Sequence, residues 1–148
     1  MRKIEFASLS DCEFLVQSQL NMAIETEDLK LDHETVTKGV KAVFANPQLG
    51  RYLICRVDGV PSACLLILNE WSDWRNGNVM WIHSVFVVKE HRRKGIYQEM
   101  YEHLKKLVMS GEYRGIRLYV DKRNTTAQNT YKSLGMDANH YDLYEWLP

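Results

Sequence analysis

The stretch Val79–Met109, VMWIHSVFVVKEHRRKGIYQEMYEHLKKLVM, leaves the chain few ways to fold. Val79 to Val88 is rich in β-branched and aromatic residues, and both parities of position are apolar except at His83 and Ser84. That pattern predicts a strand covered on both faces, hence one inside a sheet. The apolar period then changes. Ile96, Met100, Leu104, Leu107 and Val108 fall three or four apart, on one stripe of a helix. Strand passes to helix through KEHRRKG.

That junction suits an anion. Gly95 adopts backbone angles that other residues resist, so the chain can turn tightly and let its amides converge at the helix start. The helix N-terminus adds unpaired N–H groups and partial positive charge, and Arg92, Arg93 and Lys94 add three full charges. The ligand implied is a phosphate. The residues spell neither a Walker A loop, lacking Gly-Lys-Ser/Thr, nor a dinucleotide GxGxxG. A second informative stretch is RNTTAQNTYKSLGM, Arg123 to Met136. Asn124 is a good N-cap, Ala127, Tyr131 and Leu134 share one face, and Gly135 is a stop, so a helix of about three turns is predicted.

Both stretches carry a resemblance. Arg92, Gly95 and Tyr97 stand at the fixed positions of the pattern Arg/Gln-x-x-Gly-x-Gly/Ala, the acetyl-CoA pyrophosphate loop of the GNAT superfamily of N-acetyltransferases. Tyr97 departs from the tiny residue usual there. Asn124, Ala127, Tyr131 and Gly135 match the family's Asn-x-x-Ala-x-x-x-Tyr-x-x-x-Gly-Phe, with Met136 in place of the final aromatic. The chain therefore resembles a GNAT enzyme over essentially its whole length. The resemblance implies acetyl-CoA as acyl donor, held by Arg92, Arg93, Lys94, Gly95, Ile96, Tyr97 and Gln98 at the pyrophosphate. It also implies backbone contacts from Val85, Phe86 and Val87 to pantetheine and the thioester oxygen. By the same resemblance Asn124 contacts the cofactor, Tyr131 donates to the CoA sulfur, the two central parallel strands splay, and the protein is a homodimer.

The remaining elements follow from local cues. Lys3 to Leu9 reads as a first strand, and Ser10 with Glu13 as a capping box before a helix running toward Glu25. A second helix is predicted from Asp32 or His33 to Ala45, ended by Asn46-Pro47. Asp58-Gly59 joins two strands as a hairpin, a second turn at Arg75–Asn78 leads into the strand at Val79, and strands are predicted at Ile116–Asp121 and Tyr141–Leu147. The expected architecture is α/β: one domain over residues 1–148, with a mixed sheet, an antiparallel first half, a crossover helix in the second and about four helices.

Charge and cysteines narrow the function. Lys plus Arg equals Asp plus Glu at 19 each, which argues against a nucleic-acid partner. Cys12, Cys55 and Cys64 are odd in number and form no ligand cluster with histidine, so no metal is expected and reduced thiols in the cytoplasm are. No apolar run approaches the ~20 residues of a membrane helix, and the N-terminus lacks a leader pattern.

An amine with a pKa near ~10.4 must lose a proton before it attacks a thioester. His83, in the organising strand, is the candidate base, with Tyr119, Asp121, Glu25, Glu27 and Glu70 as rivals. Tyr131 is the candidate acid. Trp71 and Trp74 among Glu70, Asp73 and Arg75, together with Glu25, form a candidate wall for a small cationic amine acceptor. The alternative is an acyl-CoA binding or sensing module without catalysis.

Overall fold

The computed structural model describes all 148 residues. The elements are β1 (Arg2–Phe6), α1 (Cys12–Glu27), α2 (His33–Ala45), β2 (Gly50–Val57), β3 (Val60–Ser72), β4 (Gly77–Val87), α3 (Ile96–Met109), β5 (Ile116–Arg117) and α4 (Thr125–Ser133). They fall into two compact units, Met1–Arg117 and Leu118–Pro148.

In the first unit five strands form one sheet in the order β1-β2-β3-β4-β5. It is antiparallel as far as β4, and β5 lies parallel to β4. The Asp58-Gly59 hairpin is as expected, with both residues at positive φ (49° and 82°), the backbone that a two-residue turn between twisted strands requires. β4 pairs with β3 along its length but with β5 only through Met80 and Trp81.

The sheet is covered on both faces, which is why β4 lacks simple alternation. On one face Leu15 and Val16 of α1 and Val40 and Val43 of α2 pack against Tyr52, Cys64 and Phe86. On the other, Phe6 of β1 meets His103 of α3 edge-on, ring centroids 6.4 Å apart. α3 turns Ile96, Met100 and Leu104 fully inward, the stripe read from the sequence.

Arg56 of β2 draws the start of α1 onto the sheet edge, bonding Glu5 and the buried Asp11 at 2.7 Å each. This moves the cap expected at Ser10 and Glu13. Asp11, held by Arg56 through one oxygen, accepts the Ser8 N–H through the other at 3.0 Å, and α1 starts at Cys12 after a 3-10 turn at Leu9–Asp11. α2 begins where expected, the Asp32 carboxylate accepting the Thr35 N–H at 2.9 Å.

In the second unit α4 is capped by Asn124, whose Oδ1 accepts the Ala127 N–H at 3.0 Å. It closes at Gly135 (φ 89°), where the Met136 N–H returns to the Tyr131 carbonyl at 3.1 Å. Two sequence expectations are corrected. The strand expected at Ile116–Asp121 is confined to Ile116–Arg117, and none forms at Tyr141–Leu147. Strand character needs a ladder as well as suitable residues, and the ladder of β5 is its pairing of Ile116 and Arg117 with Met80 and Trp81. No helix of the chain is long and apolar enough to cross a membrane.

Candidate active site

β4 is irregular where its sequence turns polar. His83 lies opposite Leu66 and Phe86 opposite Cys64, so β4 spends one residue more than β3 between these points. The extra residue is a β-bulge, and Ser84 occupies it with a left-handed backbone, φ 56°. Ser84 and Val85 drop out of the register with β3, which bends the strand and turns backbone groups of this short stretch away from the ladder.

His83 is half-buried, its ring 6.3 Å from that of Trp81. It faces the α1/α2 side, because Leu66 opposite it packs against that core. Burial lowers its pKa below the ordinary 6.5, so the imidazole is neutral at neutral pH and able to accept a proton. Trp81 in turn donates its indole N–H to Glu70 at 3.0 Å, and Arg117 donates to the other oxygen of Glu70 at 2.5 Å. Glu70 thus ties β3, β4 and β5 together.

The acidic and aromatic residues of the acceptor wall are not gathered on one surface. Successive strand residues point to opposite faces, so Trp71 points away from the face that carries Glu70. Trp74 sits at the tip of the β3–β4 hairpin, 89% exposed. Glu25, in the last turn of α1, is bound by Arg92 at 2.6 Å.

The junction between β4 and α3 has the backbone the sequence called for. Arg93 and Gly95 are both left-handed, φ 57° and 78°, on either side of Lys94. A Cβ on Gly95 would meet nothing within 4 Å, so glycine is needed there for its backbone angle and not for space. The amides of Arg93, Lys94, Gly95, Ile96 and Gln98 have no backbone acceptor. Gathered at a helix N-terminus, they form an anion cradle. Arg93 and Lys94 are exposed and outside every ion pair of the chain. Arg92 is used differently: its Nε donates to the Val87 carbonyl at 2.9 Å and its Nη2 to Glu25. It therefore fastens the loop to β4 and α1. Behind the loop, Arg2 of β1 donates to the Lys94 carbonyl at 2.6 Å and pairs with Glu99.

Tyr97 packs along its own helix. Its ring lies along α3 toward Tyr101, centroids 6.4 Å apart, and its hydroxyl is buried. An open hollow of about 550 Å³ beside α3 shares only Gly95 and Gln98 with the loop and is otherwise lined by Ile4, Glu99, Glu102, His103 and Lys106. It lies away from His83, on the α3 side of the sheet.

In the second unit Tyr131 is half-buried on α4, and burial raises its phenol above the ordinary 10, so it keeps its proton. Asn124 on the same helix has its oxygen committed to the cap. Burial also raises the thiols of Cys55 and Cys64, the latter to about 11, so neither offers a thiolate nucleophile.

Sequence reasoning missed two features, the bulge and the anchoring role of Arg92. The polar pair His83-Ser84 inside an apolar run was the signal for the first. Nothing in the letters signalled the second, which depends on α1 bringing Glu25 to the loop.

Residues 14–136 match the family model described as the acetyltransferase (GNAT) family. No curated protein sequence is significantly similar to the chain. Among solved structures, the chain is 40% identical to one described as a possible acetyltransferase from Clostridium difficile 630, with TM-score 0.93 over 100% of this chain and 98% of that one. A predicted acetyltransferase with acetyl-CoA from Clostridium acetobutylicum matches at 20% identity and TM-score 0.74, over 100% and 95% of the two chains. AAC(6')-Iy in complex with the bisubstrate analogue CoA-S-monomethyl-acetylneamine matches at 12% identity and TM-score 0.78, over 100% and 99%. The last two likenesses are of fold.

Proposed function

The chain belongs to the acetyltransferase (GNAT) family, and from that premise we propose that it transfers the acetyl group of acetyl-CoA directly to a primary amine of a small molecule. One observation carries this reading. β4, bulged at Ser84, runs into the left-handed turn at Arg93 and Gly95 and the open amides of α3.

Each part has a role in this reading. The amides of Arg93 to Gln98 hold the pyrophosphate, and the free charges of Arg93 and Lys94 balance it. Arg92 keeps that loop in shape through Val87 and Glu25. The backbone of Val85, Phe86 and Val87 pairs with the pantetheine arm, and the bulge aims an amide at the thioester oxygen. Asn124 reaches the cofactor through its NH₂ group, its oxygen being used in the cap.

Acetyl-CoA supplies the activated acyl group. The chain supplies the proton transfers. Neutral His83 takes the proton from the ammonium form of the acceptor, directly or through one water. Tyr131 gives its proton to the departing sulfur. The raised thiol pKa values of Cys55 and Cys64 disfavour an acyl-enzyme on either, which favours attack in a ternary complex. Since Glu25 and Glu70 are already ion-paired, the exposed faces of Trp71 and Trp74 are the better recognition elements for a cationic acceptor. Three free cysteines, two of them buried, favour the cytoplasm, and we read the working form as a homodimer.

Calorimetric titration with acetyl-CoA and free CoA, followed by an amine panel assayed for thiol release, tests this. Micromolar binding with amine-dependent release is expected. Binding without release from any amine would favour an acyl-CoA sensing role, and absence of binding would overturn the cofactor site.

A further inference from the structure

Glu70 reads from the sequence as part of an acceptor wall and as a rival base, and its surroundings suit it to neither role. Each carboxylate oxygen already serves a donor. Oε2 accepts the Trp81 indole N–H at 3.0 Å, and Oε1 accepts Nη1 of Arg117 at 2.5 Å. Both partners bring donors and no acceptor, so a side chain with two acceptor oxygens and no hydrogen of its own is what this position requires.

The register of the sheet shows what those bonds hold. Glu70 lies opposite Val79, so Trp81 is its diagonal neighbour on the same face, and Arg117 of β5 stands beside Trp81. His83 follows Trp81 by two residues on that face, its ring tilted 42° to the indole at a centroid distance of 6.3 Å. One row therefore runs Arg117, Glu70, Trp81, His83. An indole turns about χ2 between two broad wells, and a hydrogen bond at Nε1 selects one of them. Glu70 thus sets which part of the Trp81 ring lies toward His83, and Arg117 steadies Glu70.

Resting on the reading of His83 as the base, we infer that Glu70 is a positioning residue for acetyl transfer, holding the Trp81 ring as one wall of the His83 imidazole. It acts through Trp81 and not on the reacting atoms. A base works best when a further group orients it, and a misplacement of about 1 Å costs on the order of a hundredfold in rate.

The test compares the full chain with Glu70→Gln, Trp81→Phe, the double variant and His83→Gln. Glutamine keeps the size of Glu70 but has one acceptor oxygen for two donors, and phenylalanine keeps a ring beside His83 without the indole N–H. Kinetics with an amine from the panel above give kcat and the KM for acetyl-CoA, and NMR of the resting protein gives the Trp81 indole N–H and His83 imidazole C–H resonances. Glu70→Gln is expected to lower kcat roughly ten- to a hundredfold, to change that KM less than about threefold, and to move both sets of resonances. Added to Trp81→Phe, it is expected to change kcat less than about twofold further, because its route to His83 is already cut. An unchanged kcat, a loss that adds in full to that of Trp81→Phe, or unmoved His83 resonances would each overturn the inference; if His83→Gln still abolishes turnover, the base reading stands without it. A His83→Gln enzyme that keeps its rate overturns both.

Discussion

His83 and Tyr131 are displaced in opposite directions by the same cause, burial, and this sorts their roles. Burial penalises the imidazolium, lowering His83, and penalises the phenolate, raising Tyr131. At neutral pH one is an empty base and the other a loaded acid. Tyr131→Phe is expected to lower kcat by roughly 10²-fold or more while calorimetric affinity for acetyl-CoA changes less than about threefold, since the hydroxyl serves the departing sulfur. The pH profile of kcat should show an acid limb with its midpoint below 6.5 and an alkaline limb above 10. In His83→Gln the acid limb should vanish together with most of the rate. An acid limb that persists in that variant would move the base to another residue.

At the scale of elements, the bulge in β4 and the turn before α3 share one device, left-handed residues that interrupt regular pairing to release amides. Ser84 holds φ 56° against a cost of roughly 1–2 kcal/mol for a residue with a Cβ. Ser84→Gly should therefore stabilise the protein by up to about 1 kcal/mol in urea denaturation and leave acetyl-CoA affinity intact. Ser84→Ile, β-branched and ill-suited to this backbone, should destabilise by about 1–3 kcal/mol and weaken acetyl-CoA binding. The contrast explains what the letters could reveal. α2 and α3 lie where caps and apolar stripes put them, and Asn124 to Gly135 behaves as its cap and stop imply, because these signals act within a few residues. The bulge was less legible, since it depends on how β3 registers with β4. The Arg56 network that moved the start of α1 joins β1, β2 and Asp11, which are far apart in sequence. The strands expected after Arg117 had suitable residues, but local pattern does not tell whether a ladder is at hand. At the site, the loop residues were readable as a motif, whereas the pairing of Glu25 with Arg92 and of Glu70 with Arg117 and Trp81 emerged only with tertiary structure.

For the whole molecule, the same titrations act on stability. His83 and His103 are both lowered by burial, His103 also by Lys106. The unfolded chain then binds more protons than the folded one as pH falls below about 6.5, so folding weakens through the window from 6.5 down to the lowered values. Thermal melts should show Tm falling between pH 7 and pH 5, by about 2–4 °C for each kcal/mol lost. Glu5, Asp32, Asp58 and Asp121 are shifted down by hydrogen bonds and cations, Asp121 to about 2, and their contribution persists above the ordinary carboxylate range. It is lost only at more acid pH, as they protonate. Two separate steps of destabilisation are expected, and in His83→Gln the first should shrink.

The neighbourhood of Trp81 gives this protein an optical handle. Of its four tryptophans, Trp71, Trp74 and Trp146 are exposed and should emit at long wavelength, whereas half-buried Trp81 should dominate the blue edge of the emission. Its ring lies 6.3 Å from His83, and a protonated imidazole quenches a nearby excited indole. Blue-edge intensity should fall as His83 gains its proton on acidification and stay flat in His83→Gln. The ionisation proposed to limit turnover could then be followed in the resting protein, without any acceptor in the cuvette.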